Sequence, residues 1–142
     1  MVCIYCGQKT KIINSRAQKR AHGTWRRHRC TKCQQVFTTQ ERVDLAVSAS
    51  FIAKDGSIHP FNRQILLQSL YDSLKHRPHA LTEALDLTDT VITKLLPQIK
   101  TAGWSRQAVV ETTHQVLKHF DVAAATTYLA YHPVSRSRVA PS

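Results

Sequence analysis

Four cysteines, the chain's full complement, fall into two Cys-x-x-Cys pairs, Cys3/Cys6 and Cys30/Cys33. Two intervening residues let both sulfurs of a pair point into one small space, and the 23 residues between the pairs allow a hairpin to bring the pairs together. Zinc prefers four tetrahedral ligands, and four cysteines leave no position open for a substrate. The spacing is slightly longer than the roughly 15–20 residues of the commonest four-cysteine pattern, and it predicts one closed, structural Zn²⁺ site per chain.

Two other uses of the cysteines remain open on sequence grounds. Disulfides form in oxidising compartments, and the first residues show no apolar stretch typical of a secretory signal, so we expect a reducing location. A redox-active Cys-x-x-Cys pair normally lies where a strand runs into a helix, whereas turn-forming and basic residues surround both pairs here. Both observations favour zinc.

The positive charge of the chain is concentrated beside the cysteines. The formal net charge is +11; residues 1–43 hold ten Lys/Arg against one acidic residue, Glu41, whereas residues 44–142 hold ten against eight. A surface of nearly one sign predicts a polyanionic partner, namely nucleic acid, with strongly salt-dependent binding. No apolar run reaches the roughly 18 residues of a membrane helix, so no membrane partner is expected.

The pattern predicts an α+β fold of two domains. In the first, residues 1–43, we expect short strands and a loop over 18–23 that turns at Gly23; too few apolar residues exist there for a core, so metal binding must supply folding free energy on the order of 10 kcal/mol or more. The expected strands are 9–15, 24–29 and 36–39.

The second domain, residues 46–132, is expected to be mainly helical with an N-terminal hairpin, and residues 133–142 to form a mobile tail. The hairpin strands are predicted at 46–53 and 57–61, around a turn at 54–56. Four helices are predicted, with Asn62, Thr82, Ser105 and Asp121 as their caps, and Pro97 is expected to kink or end the second. Their expected buried residues are Ile65, Leu66, Leu70, Leu74, Leu85, Val91, Ile92, Leu95, Leu96, Ile99, Val109, Val116, Leu117 and Phe120.

These residues resemble the NrdR family, in which a zinc ribbon precedes an ATP-cone domain in repressors of bacterial ribonucleotide reductase operons. The likeness runs in the same order over almost the whole chain and is most specific in the ribbon. The matching motifs are Cys3-x-x-Cys6-Gly7, Asn14-Ser15-Arg16, Arg26-Arg27-His28-Arg29-Cys30-x-x-Cys33, Phe37-Thr38-Thr39 with Glu41, Lys54-Asp55-Gly56, Pro60-Phe61-Asn62, Arg77-Pro78 and Leu117-Lys118-x-x-Asp121.

The resemblance implies a bacterial, cytoplasmic and nucleoid-associated repressor that binds double-stranded DNA at operator boxes and forms homo-oligomers controlled by ATP or dATP. Cys3, Cys6, Cys30 and Cys33 would hold zinc. The DNA contacts would be Arg16, Arg26, Arg27, His28 and Arg29, because arginine suits both phosphate and guanine. The nucleotide contacts would be Lys54, Asp55 and Gly56, with Arg63 or Arg77 adding charge.

The second half departs from the family pattern. Two family lysines are replaced by Ala53 and Ile65, and the family's Arg-Phe-Ala-Ser-Val-Tyr segment reads as residues 127–132 here. Because an ammonium on a triphosphate is a charge-assisted contact, these losses weaken the expected nucleotide binding. A degenerate cone that serves only oligomerisation is the alternative.

Two further function classes agree less well with the sequence. A zinc-ribbon module that binds RNA or the ribosome would use the same charge, but exposed aromatic residues for base stacking are few, namely Tyr5, Trp25 and Phe37. An enzyme is not expected, because the eight histidines are scattered and form no His-Glu-x-x-His motif or evident triad.

Overall fold

The computed structural model describes residues 1–99 and 103–134. The chain divides into two compact units, Met1–Val43 and Asp44–Ser142. The first unit is a three-stranded sheet, and the second combines another three-stranded sheet with helices. The predicted α+β class is therefore confirmed. Within the described residues, no helix is long and apolar enough to cross a membrane.

The first unit is an antiparallel sheet in the order β1-β2-β3. Its strands are β1 (Thr10–Gln18), β2 (Gly23–Cys30) and β3 (Val36–Arg42), with a 3-10 turn at Lys19–Ala21 between the first two. The strand predicted to enter Cys30 is confirmed, and β1 continues three residues past the predicted end. The register of β1 against β2 shifts between Ile12 and Asn14, which places a bulge at Ile13.

The prediction of a turn at Gly23 is wrong. Gly23 opens β2, and the left-handed turn residue is His22, with φ of 46°. A Cβ atom on Gly23 would lie 2.4 Å from the carbonyl oxygen of Glu41. The glycine is therefore required by the close approach of β3, and not by a turn.

The second unit contains the sheet β5-β4-β6, made from β4 (Ser50–Ile52), β5 (Ile58–Pro60) and β6 (Gly103–Ser105). The hairpin β4–β5 is antiparallel, as predicted, while β6 pairs parallel to β4. The strand predicted over 46–53 is too long, because Leu45–Ser48 forms the short helix α1. The Asp44 carboxylate caps this helix by accepting from the N–H of Ala46.

Among the described residues, four longer helices complete the second unit. Three predicted caps are confirmed: Asn62, Ser105 and Asp121 accept backbone N–H groups of the turns that follow them. The predicted cap Thr82 is wrong, because its helix already begins at Ala80 and has no side-chain cap. The helices are α2 (Arg63–Ser73), α3 (Ala80–Leu95), α4 (Arg106–Phe120) and α5 (Val122–Tyr131); a 3-10 turn at Leu96–Gln98 follows α3 at Pro97, as expected.

Nine of the fourteen residues predicted for the core are buried, Leu96 and Ile99 are half-buried against it, and three are exposed. Ile65 is 66% exposed, Leu85 is 40% exposed and Phe120 is 41% exposed. In α3, Ala84 and Leu87 face the core in place of Leu85, and Trp104 of β6 fills its centre, with its Nε1 donating to the Leu95 carbonyl at 2.7 Å. Of the tail predicted to be mobile, residues 135–142 lie outside the described part of the chain.

Arg77 connects the helices of the second unit through ion pairs. Its guanidinium donates to both oxygens of Glu83, at 2.7 and 3.1 Å, and to Asp121 at 2.9 Å. It also lies 4.7 Å from the ring centre of Phe120, which explains the position of that ring. The pKa of Asp121 lies well below its usual range because His76, the N–H of Ala124 and Arg77 donate to the carboxylate. The hydrogen bond from Arg77 also lowers the pKa of Glu83.

Replacing this arginine should weaken the second unit in a pH-dependent way. Carboxylates with lowered folded pKa values stabilise the fold above their unfolded values, about 4, and lose this effect as the pH falls through the folded values. We expect Arg77→Leu to unfold at lower denaturant concentration than the wild type at pH 7, with a difference that shrinks in acid. Circular dichroism during urea titrations at pH 7 and pH 3 measures this.

The matched control is Lys75→Gln, which removes the surface ion pair to Asp72. Exposed pairs contribute little to stability, so this variant should unfold close to the wild type. Equal denaturation midpoints for Arg77→Leu and Lys75→Gln at pH 7 would contradict the structural role of Arg77.

Candidate metal centre and nucleic-acid interface

The four cysteine sulfurs of the first unit come together in one cluster. Cys3 Sγ lies 3.7 Å from Cys33 Sγ, and Cys6 Sγ lies 3.5 Å from Cys30 Sγ. All four sulfurs lie within 4.8 Å of one another. A tetrahedral site with Zn–S bonds of ~2.3 Å has sulfurs about 3.8 Å apart, so the donor set fits one structural Zn²⁺. The separations also exceed a covalent S–S bond of about 2.05 Å, and all four cysteines are free.

The two Cys-x-x-Cys turns are built in the same way. The N–H of Cys3 donates to the carbonyl of Gln8 at 2.7 Å, and the N–H of Cys30 donates to the carbonyl of Gln35 at 3.0 Å. The residue after the second cysteine of each pair has a positive φ: 72° at Gly7 and 63° at Gln34. These repeated contacts turn the sulfurs of both pairs toward the same point.

Backbone N–H groups also favour the thiolate form. The N–H groups of Lys32 and Cys33 lie 3.3 and 3.4 Å from Cys30 Sγ. Burial acts against ionisation of Cys30, but these donors lower its pKa to about 6. The N–H of Gln35 acts to lower the pKa of Cys33, yet burial and the other thiols raise it to about 12. Neighbouring thiolates repel one another, so a bound cation is needed to hold all four in the ionised form.

His28 lies behind the metal cluster and not on the surface. Its side chain is 5% exposed, its ring stacks on Phe37 with centres 5.2 Å apart, and its Nε2 lies 2.8 Å from Thr39 Oγ1. The imidazole therefore packs against β3 and supports the sheet, and the DNA contact at His28 stays a prediction.

Strand pairing places the predicted DNA-binding arginines on two different faces of the sheet. Directly opposed residues share a face, and neighbours along a strand alternate. Arg29 lies opposite Lys11, Arg27 opposite Asn14, and Trp25 opposite Arg16. We call this side the basic face; its members include Lys11, Asn14, Arg16, Trp25, Arg27, Arg29, Val36, Thr38, Gln40 and Arg42.

The bulge at Ile13 determines which side chains of β1 lie on the basic face. Lys11 and Arg16 are five residues apart, and in a regular strand they would point to opposite sides. The extra residue shifts the alternation, so both share the face of Arg27 and Arg29.

Arg26 lies on the other side of the sheet, with His28. It forms an ion pair with Glu41 of β3 across that face, and its side chain is 34% exposed. Alternation along β2 thus separates Arg26 from Arg27 and Arg29, and the predicted DNA contact of Arg26 stays a prediction.

The structure does not gather the residues predicted for nucleotide. Lys54, Asp55 and Gly56 form the exposed β4–β5 turn, where the Asp55 carboxylate accepts from the N–H of Ser57 at 2.9 Å. Arg63 pairs with Asp89 of α3 at 2.7 Å, and Arg77 is held by its two carboxylate partners. Both arginines therefore serve the helix packing, and their role in supplying charge for nucleotide stays a prediction.

Sequence reasoning missed a cavity of about 610 Å³ in the second unit. It lies among α1, the β4–β5 hairpin, the start of α2, α4 and α5, and none of the five residues predicted for nucleotide lines it. Its guanidinium comes from Arg106, the first residue of α4. Neither periodicity nor spacing marks such a cavity, because its walls come from distant segments.

Four thiols gathered on a three-stranded antiparallel sheet define the first unit as a zinc ribbon. The family described as "Transcriptional repressor NrdR-like, N-terminal domain" matches residues 1–41. A transcriptional repressor NrdR of Leptothrix cholodnii is 28% identical over 96% of this chain and 90% of its own length. Proteins of the same name from Burkholderia mallei and Burkholderia pseudomallei are 34% identical to this chain. The matched segment covers 72% of this chain and 62% of the length of those proteins.

The first 41 residues of the chain therefore match the N-terminal domain of NrdR-like repressors, and over 96% of its length the chain is similar to a protein named transcriptional repressor NrdR.

We expect the purified protein to hold one zinc per chain and the Cys6→Ser variant to lose it, because three thiolates and a hydroxyl bind zinc less well. Cys6 is exposed, so the change removes a ligand without disturbing a core. Elemental analysis and the thiolate charge-transfer bands of cobalt-substituted protein measure the site. His22→Ala is the control and should keep its metal; absence of zinc from wild-type protein purified under reducing conditions would contradict the prediction.

Proposed function

We propose that this chain represses transcription by binding double-stranded DNA through the basic face of its zinc ribbon. The observation that carries the proposal is the gathering of Lys11, Arg16, Arg27 and Arg29 on one side of a sheet whose other side contains the metal cluster. The three arginines and Lys11 are exposed, so their charges are available to phosphates.

The same face offers side chains that read bases. Asn14 and Gln40 present amides beside the arginines, and amide and guanidinium groups are the usual hydrogen-bonding partners of adenine and guanine in the major groove. A sheet or two-stranded ribbon fits that groove. Trp25 is half-buried between these groups, which gives the face one aromatic side chain and favours duplex DNA over single-stranded RNA.

We also propose that the second domain, the cone-like part of the chain, sets the homo-oligomeric state in response to an adenine nucleotide. Phe120, Val122 and Tyr131 of α4 and α5 are exposed apolar side chains that contact with a second copy would cover. Linked ribbons would engage two half-sites together, so assembly would raise DNA affinity without new contacts. A nucleotide would act by binding one assembly state more tightly than another.

The two faces of the ribbon give a matched pair of variants for DNA binding. Arg27→Ala should weaken operator binding and lower the slope of log affinity against log salt by about 0.9 for each phosphate that the variant no longer neutralises. Arg26→Ala, on the opposite face, should leave that slope unchanged. Fluorescence anisotropy with a duplex operator at several salt concentrations measures both.

A single-stranded RNA of equal length serves as competitor in the same titrations. Preference for the RNA would favour the alternative RNA- or ribosome-binding module. Equal decreases in affinity for Arg26→Ala and Arg27→Ala would reject the basic face as the contact surface.

Nucleotide control predicts a change of assembly. Size-exclusion chromatography with light scattering on metal-replete protein should show a different molar mass with ATP, dATP or AMP than without nucleotide. An unchanged mass with all three would reject the effector role and leave a cone that serves oligomerisation alone; the DNA-binding proposal would stand.

A further inference from the structure

The large cavity of the second unit combines a mainly apolar wall with the neutral polar side chains of Asn62, Gln64 and Ser69, two histidines and one arginine. Its volume, about 610 Å³, lies within the range of small-molecule sites. Aromatic and aliphatic side chains, among them Phe51, Phe61, Leu66, Val109 and Tyr128, make most of its wall. Among the residues that the structure describes, no carboxylate and no lysine lines it. The wall therefore suits the apolar or aromatic body of a ligand.

Arg106 is the single fixed charge that the described part of the chain places on this wall. Within residues 1–99 and 103–134 its guanidinium makes one hydrogen bond, from Nη1 to the carbonyl of Pro133 at 3.3 Å, so most of its five N–H donors are available. His132, the neighbouring imidazole, stays neutral near pH 7, because burial and the charge of Arg106 both lower its pKa. One permanent cation thus faces a chamber that no described carboxylate and no described lysine lines.

From this arrangement we propose that the cavity binds a ligand with an apolar or aromatic body and a single anionic group held by Arg106. Two kinds of compound share this chemistry: a nucleoside monophosphate and an apolar carboxylate. The inference deepens the proposed effector role of the second domain and rests on it for its regulatory consequence.

A triphosphate fits this wall poorly. Its three phosphate groups need several charge-assisted partners, and one arginine supplies a single bidentate contact. Lys54 does not line this cavity but a separate one of about 220 Å³, which shares Arg106 and Val110 with the larger one. Ile65, which is exposed at the wall of the large cavity, adds no charge.

The test is calorimetric titration of the full-length, metal-replete protein with AMP, decanoate and Mg²⁺-ATP. AMP or decanoate should bind at least about tenfold more tightly than ATP. Tighter binding of AMP would identify the ligand as a nucleoside monophosphate, and tighter binding of decanoate would identify it as an apolar carboxylate. Arg106→Leu should weaken that binding by about tenfold or more, the worth of one charge-assisted hydrogen bond. Lys118→Leu, at the exposed far end of the same helix, is the matched control and should bind like the wild type.

A second pair of variants tests whether the number of cations at the cavity wall sets the preference between ATP and AMP. Both variants change Ile65, which is exposed, so the core is not disturbed. Ile65→Lys should raise affinity for ATP more than for AMP, whereas Ile65→Gln should change neither. Wild-type binding of ATP as tight as that of both other compounds, or binding of neither AMP nor decanoate, overturns the inference. Binding that leaves molar mass and DNA affinity unchanged would instead reject the effector role and keep the ligand assignment.

Discussion

The attraction between four thiolates and one divalent cation is the interaction on which the first domain depends. The buried apolar residues of that domain are Cys3, Cys30 and Phe37, within the described residues, and this is too little apolar surface to offset the entropy of ordering the chain. Metal binding therefore takes the place of a core. The backbone donors around Cys30 and the paired turns after Gly7 and Gln34 prepare the sulfurs for this role.

The same interaction decides which side chains meet a partner. Cys30 must point to the metal, and alternation along β2 then turns His28 and Arg26 to one side and Arg27 and Arg29 to the other. Burial of His28 against Phe37 stabilises this assignment of alternate side chains to the two faces of the sheet. A metal ligand at the end of a strand thus fixes the direction of the charges along its whole length.

Much of this arrangement could be predicted from local sequence, and the rest could not. The cysteine spacing, the β2 strand and the caps at Asn62, Ser105 and Asp121 depend on short stretches of chain, and the structure contains each of them. The bulge at Ile13, the pairing of β6 with β4 and the cavity at Arg106 arise from contacts between distant segments, which a pattern within one segment does not record. Alternation along a strand separates Arg26 from Arg27 and Arg29, but this rule can be applied only once these residues are known to form β2.

The parallel pairing of β4 with β6 has a consequence for how the second domain acquires its structure. Ser50 lies beside Gly103, so the sheet closes only after about fifty residues of intervening chain have been brought into place. Closing a long loop costs entropy before the pairing offsets it, and contacts of this kind slow folding. Trp104, fully buried in β6, arrives with that last strand. A nascent chain that ends after α3 therefore has an unpaired edge on β4, and this edge is covered only when β6 has been synthesised.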